Sequence, residues 1–220
     1  MAYRQTEKVV RKLAARRQAI LAAASQMLAE QGTAAIQIAP IAERAGIAAG
    51  TVYRYFPSKT ALVAAVVSGL SEQEIAALEE AAAGAPGPLS ALAAAITTFA
   101  MRAMARRRLV LALMAEPIEP ELDGALASYR RALAAEFEKL IRKALDDSHL
   151  RHRDAALAAP ALIGALVEGL IGPLAAPAGK DPAEMRAEVQ RLTLFTLRAL
   201  GVVDARARGL VVQAAVREEP

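Results

Sequence analysis

The stretch Ala45–Lys59 reads AGIAAGTVYRYFPSK. It sets two glycines, three alanines, two tyrosines and an arginine ahead of a proline. Just before it, Ile38, Ile41, Ala42 and Ala45 recur at helical spacing, which predicts a short helix over 38–45. Pro40 is tolerated there because it falls in the first turn, where its missing N–H has no partner anyway. Gly46 ends that helix. Ala49–Phe56 then reads as a second short helix, with Val52 and Phe56 four apart on its inner face. Pro57 stops it, and Ser58 stands where it can cap the next helix. Two short helices joined by a tight glycine turn make a helix-turn-helix.

A pair of such helices buries little by itself, and its neighbours supply the rest. Residues 7–31 predict a long first helix with Ile20, Ala24, Met27 and Leu28 on one stripe, closed by Gln31-Gly32. Arg11, Lys12, Arg16 and Arg17 lie away from much of that stripe. Further helices are predicted near 59–83, 89–107, 108–116, 120–147, 154–176 and 182–200, with one further short helix in the tail. Pro160 and Pro173 are expected to interrupt or kink the 154–176 helix. Only Pro57-Ser58 separates the motif from the 59–83 helix, so motion of that helix is expected to reach the motif.

Composition agrees with an all-α chain. Ala and Leu dominate its 220 residues, 55% are hydrophobic, and no alternating strand pattern or Asn-Gly hairpin signal appears. With no cysteine, disulfides, thiolate metal sites and cysteine nucleophiles are excluded. The charged N-terminus lacks the apolar segment of an export signal, and the longest uncharged run, Ala81–Met101, is broken by Gly84–Pro88, so no continuous apolar run of the roughly 20 residues of a membrane span is evident. The expectation is a cytoplasmic protein with no membrane partner.

Net charge is +4, but the first 60 residues carry nine Lys/Arg against three acids, which leaves −2 for the remainder. A basic head on a slightly acidic body suits a polyanion partner for the head, or a solvated basic face. In a helix-turn-helix the second helix enters the DNA major groove by its N-terminal residues. Ala48, Ala49 and Gly50 are small enough for close backbone approach. Thr51 offers a hydroxyl and a methyl. Tyr53, Arg54 and Tyr55 fan out at about 100° steps, and Lys59 follows at the next helix start. Phosphate contacts by the tyrosines and Lys59 fit that fan, while Tyr53 reads equally as a packing aromatic at a helix junction.

These runs carry a family resemblance. TAAIQIAPIAERAGIAAGTVYRYFPSKTALVAAVV resembles the DNA-binding region of the TetR family of transcriptional regulators, through Ile-Ala-x-x-Ala-Gly-Ile, Gly-Thr-Val-Tyr-x-Tyr-Phe and Pro-x-Lys-x-x-Leu; the strong match covers residues 10–67. The resemblance implies an N-terminal three-helix DNA-binding domain (1–57) and a larger C-terminal helical domain (58–220) for effector binding and dimerisation. It implies a homodimer on a palindromic operator, most often a repressor released by a small molecule. By position, Ala49, Gly50, Thr51 and Arg54 would face the groove, and Tyr53, Tyr55 and Lys59 would hold phosphates. Arg54 is left open between a guanine and another phosphate. Gln37 and Ala48 depart from the family's Ser/Thr caps. Ala39 and Pro40 replace polar positions, and Arg4 and Lys8 read as a basic arm or a solvated one.

The resemblance places an effector pocket among the middle helices. There Phe99, Met101, Met104, Leu111, Met114, Tyr129 and Phe137 are the apolar candidates, each also readable as core. Few polar groups converge in the sequence, which favours a hydrophobic or amphipathic effector. The broad apolar faces near 154–176 and 182–200 (Ala161, Gly164, Ala165 and Gly169; Val189, Leu192, Phe195, Thr196 and Ala199) would form a four-helix dimer bundle as in the family. His149 and His152, three apart, read as a polar loop rather than a metal site. Glu168, a lone charge between apolar runs, fits an interface, a pocket or a bundle edge. No cofactor is expected and no nucleophile–base pair is evident, so an enzyme is disfavoured. Other readings are an activator or architectural DNA binder of the same fold, and a helical lipid-binding protein.

Overall fold

The computed structural model describes residues 7–33, 36–114, 120–146, 154–175 and 181–217. Among them are ten helices and no strand: α1 Glu7–Gln31, α2 Ile38–Arg44, α3 Ala49–Tyr55, α4 Lys59–Ala83, α5 Pro88–Ala105, α6 Arg107–Met114, α7 Pro120–Asp146, α8 Ala155–Leu170, α9 Pro182–Ala199 and α10 Asp204–Arg217. His149, His152 and Arg4 lie outside the described residues.

Local chemistry sets the boundaries. Gly46 takes φ +67°, and the N–H groups of Gly46 and Ile47 return to the carbonyls of Glu43 and Ala42 at 3.0 and 2.9 Å. This left-handed closure of a helix favours glycine. Phe56 precedes a proline and is forced extended (φ −135°, ψ 105°), which ends α3 at Tyr55. Ser58 accepts from the Ala61 N–H at 3.0 Å and caps α4, whereas Gln37 and Ala48 make no side-chain cap. α5 and α9 both start on a proline.

Four helices differ from the sequence expectation or add to it. α8 runs through Pro160 but stops at Leu170, so Pro173 does not interrupt it. Glu168 explains the stop: its Oε1 accepts from the Leu174 N–H at 3.1 Å, and its carboxylate lies over Gly172. A Cβ on Gly172 would stand 2.5 Å from the other carboxylate oxygen, Oε2. Glu168 is therefore a turn anchor in this chain. The tail helix, α10, is 14 residues long and docks on α5 and α9. Finally, α4 and α5 are long and apolar enough to cross a membrane by length and composition, although charges in α4 and the Gly84–Pro88 break ahead of α5 hide this in the run of uncharged residues. In α5, 61% of that window is buried inside the protein, against α4, α7, α9 and α10 among others.

Two apolar clusters organise the core. One joins Ile20, Met27 and Leu28 of α1 to Ile41, Val52, Phe56, the first half of α4, and Leu109, Leu113, Leu126 and Tyr129. The other holds most of α5 and α7–α10, with Phe99 and Phe137 in edge contact (centroids 6.0 Å apart, planes at 88°). The first cluster crosses the 57/58 seam, so the motif shares its core with α4, α6 and α7.

Candidate nucleic-acid interface and effector cavity

α3 is buried on one side and bare on the other. Val52 and Phe56 are buried in the head cluster, while Ala49, Gly50, Tyr53 and Arg54 are exposed and Thr51 and Lys59 are intermediate. Tyr53, at 53% exposed, is not a packing aromatic; Tyr55 is the half-buried one, against the head cluster. The two phenols therefore leave α3 in different directions. A Cβ added to Gly50 would meet nothing within 4 Å, so no neighbour within the chain requires glycine there.

α1 braces this unit. The Arg17 guanidinium lies 5.3 Å from the Phe56 ring centroid, and Arg44 of α2 pairs with Glu30 at 2.8 Å. Arg11, Lys12 and Arg16 are exposed on the same helix. Exposed positive charge thus stands on both α3 (Arg54) and α1.

Of the effector candidates, Phe99 and Tyr129 line a cavity of ≈ 20 Å³ among α4–α7. Tyr129 also lines a groove of ≈ 650 Å³ between α4 and α7. Met104 lines a cavity of ≈ 560 Å³ between α1, α4 and the α5–α6 junction. Met101, Met114 and Phe137 line none of these cavities, and Phe137 is core.

Polar groups do converge, contrary to the sequence reading. Glu74 Oε2 accepts from Arg102 Nε at 2.9 Å, with Arg106 and Tyr129 lining the same small cavity. Burial holds the Glu74 carboxyl above its ordinary value despite Arg102, and burial together with the Glu74 charge pushes the Tyr129 phenol up. These groups come from three helices and the α5–α6 junction, so no short stretch displayed them. The available signal was an acid on the apolar stripe Val63, Val67, Leu70, Leu78 of α4. Among the described residues no group of three or more His, Asp or Glu could hold a metal.

Outward on α8 and α9, Leu157 (61% exposed), Ala161 and Phe195 (58% exposed) line an apolar hollow of ≈ 290 Å³. Val189 and Thr196 turn inward, and Gly169 is used inside the chain, where Leu192 packs 3.1 Å from its Cβ position. The outward face is thus narrower than the two full stripes read from sequence.

The family model for bacterial regulatory proteins of the tetR family matches residues 20–66, which contain the α2–α3 unit. The likeness in sequence to the TetR family rests on this stretch, about a fifth of the chain. Over 77 residues the chain is 38% identical to the HTH-type transcriptional repressor KstR of Mycolicibacterium smegmatis, and over 53 residues 43% identical to KstR of Rhodococcus jostii. These matches span 38% and 25% of those proteins and 35% and 24% of this chain. A crystal structure of RolR in complex with resorcinol shares the fold over 96% of this chain and 97% of RolR, with a TM-score of 0.66 and 23% identity.

Proposed function

We propose that this chain is a ligand-responsive repressor of the TetR family, acting in the cytoplasm as a homodimer on a palindromic operator. The observation that carries this reading is α3 itself: anchored inward by Val52 and Phe56, bare at Ala49, Gly50, Tyr53 and Arg54, and set on the basic part of the chain. The KstR relatives are named repressors, which supports repression over activation. In this reading Ala49, Gly50, Thr51 and Arg54 face the major groove, and Tyr53, Tyr55 and Lys59 hold phosphates on either side. Residues 1–57 bind DNA, and 58–220 bind effector and partner. The Leu157–Phe195 face of α8 and α9 meets its copy in a second chain, so that two α3 helices stand about 34 Å apart or a multiple of it. A small, mainly apolar effector among α4–α7 binds better to the conformer with the wrong spacing, and repression lifts by that difference in affinity.

Salt-dependent operator binding tests the interface. Lys59→Gln is expected to reduce the slope of log K against log salt by about 0.9 per half-site, the value of one lost phosphate contact. Tyr55→Phe keeps the ring packing and is expected to weaken binding severalfold with the slope unchanged, because a phenol hydrogen bond releases no counterion. Wild-type slope and affinity in both variants would remove the phosphate roles.

A further inference from the structure

Midway along α4 an apolar stripe is broken by Glu74, which is only 9% exposed. Oε2 is taken by Arg102, but Oε1 is buried with no hydrogen-bond partner among the described residues. An unmatched buried polar atom costs about 1–3 kcal/mol, and more when charged. The ≈ 20 Å³ cavity beside it is otherwise walled mainly by Phe99, Ala103, Leu109, Val110, Leu113 and Tyr129. Tyr129 also faces the ≈ 650 Å³ groove between α4 and α7. Tyr129 therefore lines both an open groove and a smaller, more enclosed chamber holding a carboxylate oxygen short of a partner.

We propose that Glu74 and Arg102 are the polar anchor of the effector site, that Tyr129 is its gate, and that the effector is an uncharged, mainly apolar molecule carrying a hydroxyl or similar hydrogen-bond donor. This rests on the reading of the chain as an effector-responsive regulator. Charge decides the chemistry. Arg102 already balances Glu74, so an anion would bring its charge against Oε1, and a cation would meet Arg102 and Arg106. A neutral donor completes Oε1 without adding a charge to a buried site. A chamber of ≈ 20 Å³ holds a single water, so a larger ligand must turn Tyr129 aside and join the chamber to the groove. Tyr129 packs in the same cluster as Leu109 and Leu113 of α6, and α6 packs on α1. The displaced ring thus presses on the helix that supports the head.

Four probes of one shape test this: cyclohexanol, methoxycyclohexane, cyclohexanecarboxylate and cyclohexylammonium, titrated calorimetrically into the full chain. Cyclohexanol is expected to bind at least about tenfold tighter than each of the others. Glu74→Leu with Arg102→Met replaces the pair by apolar side chains, a change that buried pairs commonly tolerate. In that double variant cyclohexanol and the ether are expected to bind within about twofold of each other. Glu74→Gln, which keeps an acceptor without its charge, is expected to fall between. The proposal is overturned if no probe binds, leaving Oε1 to a water alone, if the ether, acid or amine binds as tightly as the alcohol, or if the preference survives in the double variant. Operator affinity measured with cyclohexanol separates the two readings. A hydroxyl preference without DNA release keeps the anchor and removes the release function.

Discussion

Gly50→Ala separates what α3 needs for folding from what it needs for DNA. Gly50 is the second residue of α3, and a Cβ there meets nothing within 4 Å. Alanine is worth up to about 1 kcal/mol over glycine inside a helix, and near a helix end roughly half of that. The variant is therefore expected to be about 0.5 kcal/mol more stable, raising Tm by about 1–2 °C for a chain of this length. Against DNA the sign reverses. If the backbone at Gly50 lies against base edges, one methyl overpacks the contact by about 1–3 kcal/mol, a loss of at least about fivefold in operator affinity. Gly69→Ala is the matched control, because its Cβ also meets nothing within 4 Å but it lies on α4, away from α3. It is expected to raise Tm without touching DNA affinity. Calorimetry and fluorescence anisotropy on an operator duplex read both quantities. Wild-type operator affinity in a stabilised Gly50→Ala protein would refute the close approach, and a lowered Tm would refute the open surroundings of Gly50.

Ser58→Ala removes the acceptor for the Ala61 N–H and is expected to cost about 1 kcal/mol in thermal unfolding, with weaker operator binding because the first turn of α4 carries Lys59. Phe195→Asp puts a charge in the middle of the outward α8–α9 face; sedimentation is expected to show a monomer of unchanged helicity, with operator affinity falling in step. Glu74 titrates above its ordinary 4.5 in the folded chain. The folded state therefore holds more protons than the unfolded state between that value and the raised one. Wild-type stability relative to Glu74→Gln is expected to be highest below 4.5 and to fall as pH rises through the window. Paired urea titrations across that range check the sign, and a relative stability that rises with pH would contradict it.

The motif was legible because its punctuation is local. Gly46 and Pro57 act on the backbone within a residue or two, so the ends of α2 and α3 follow from them almost to the residue. The α4 cap at Ser58 is legible for the same reason. The end of α8 at Leu170 was not, because it depends on how the Glu168 side chain folds over the turn beyond it. Glu168 folds over Gly172 and takes the Leu174 N–H, which neither a period nor a proline announces. The Glu74–Arg102–Tyr129 group is harder still. Its members are 28 and 27 residues apart along the chain, and only the packing of α4, α5 and α7 gathers them. Tyr53 and Tyr55 show the middle case. Their fan is fixed by helix geometry, but which of the two leans on the head depends on where the cluster lies.

The seam at 57/58 looks different in sequence and in three dimensions. In sequence, a proline and a cap divide a DNA-reading unit from a helical body. In the folded chain the reading unit has no closed core of its own: Val52 and Phe56 share a cluster with Leu109 and Leu113 of α6 and Tyr129 of α7. At the start of α6, Arg108 donates to the Gln31 carbonyl in the last turn of α1 at 3.1 Å, and Arg107 reaches the Leu170 carbonyl at the end of α8 at 3.4 Å. Carbonyls at helix ends lack intrahelical partners, so two neighbouring guanidinium groups tie both ends to one short helix. α4 is then one link between body and head, and α6 is another. A ligand that moved α4 alone would strain the α6–α1 packing. One that displaced Tyr129 would shift α4, α6 and the head cluster together. The coupling reading therefore favours a site at Tyr129 over one farther down the body.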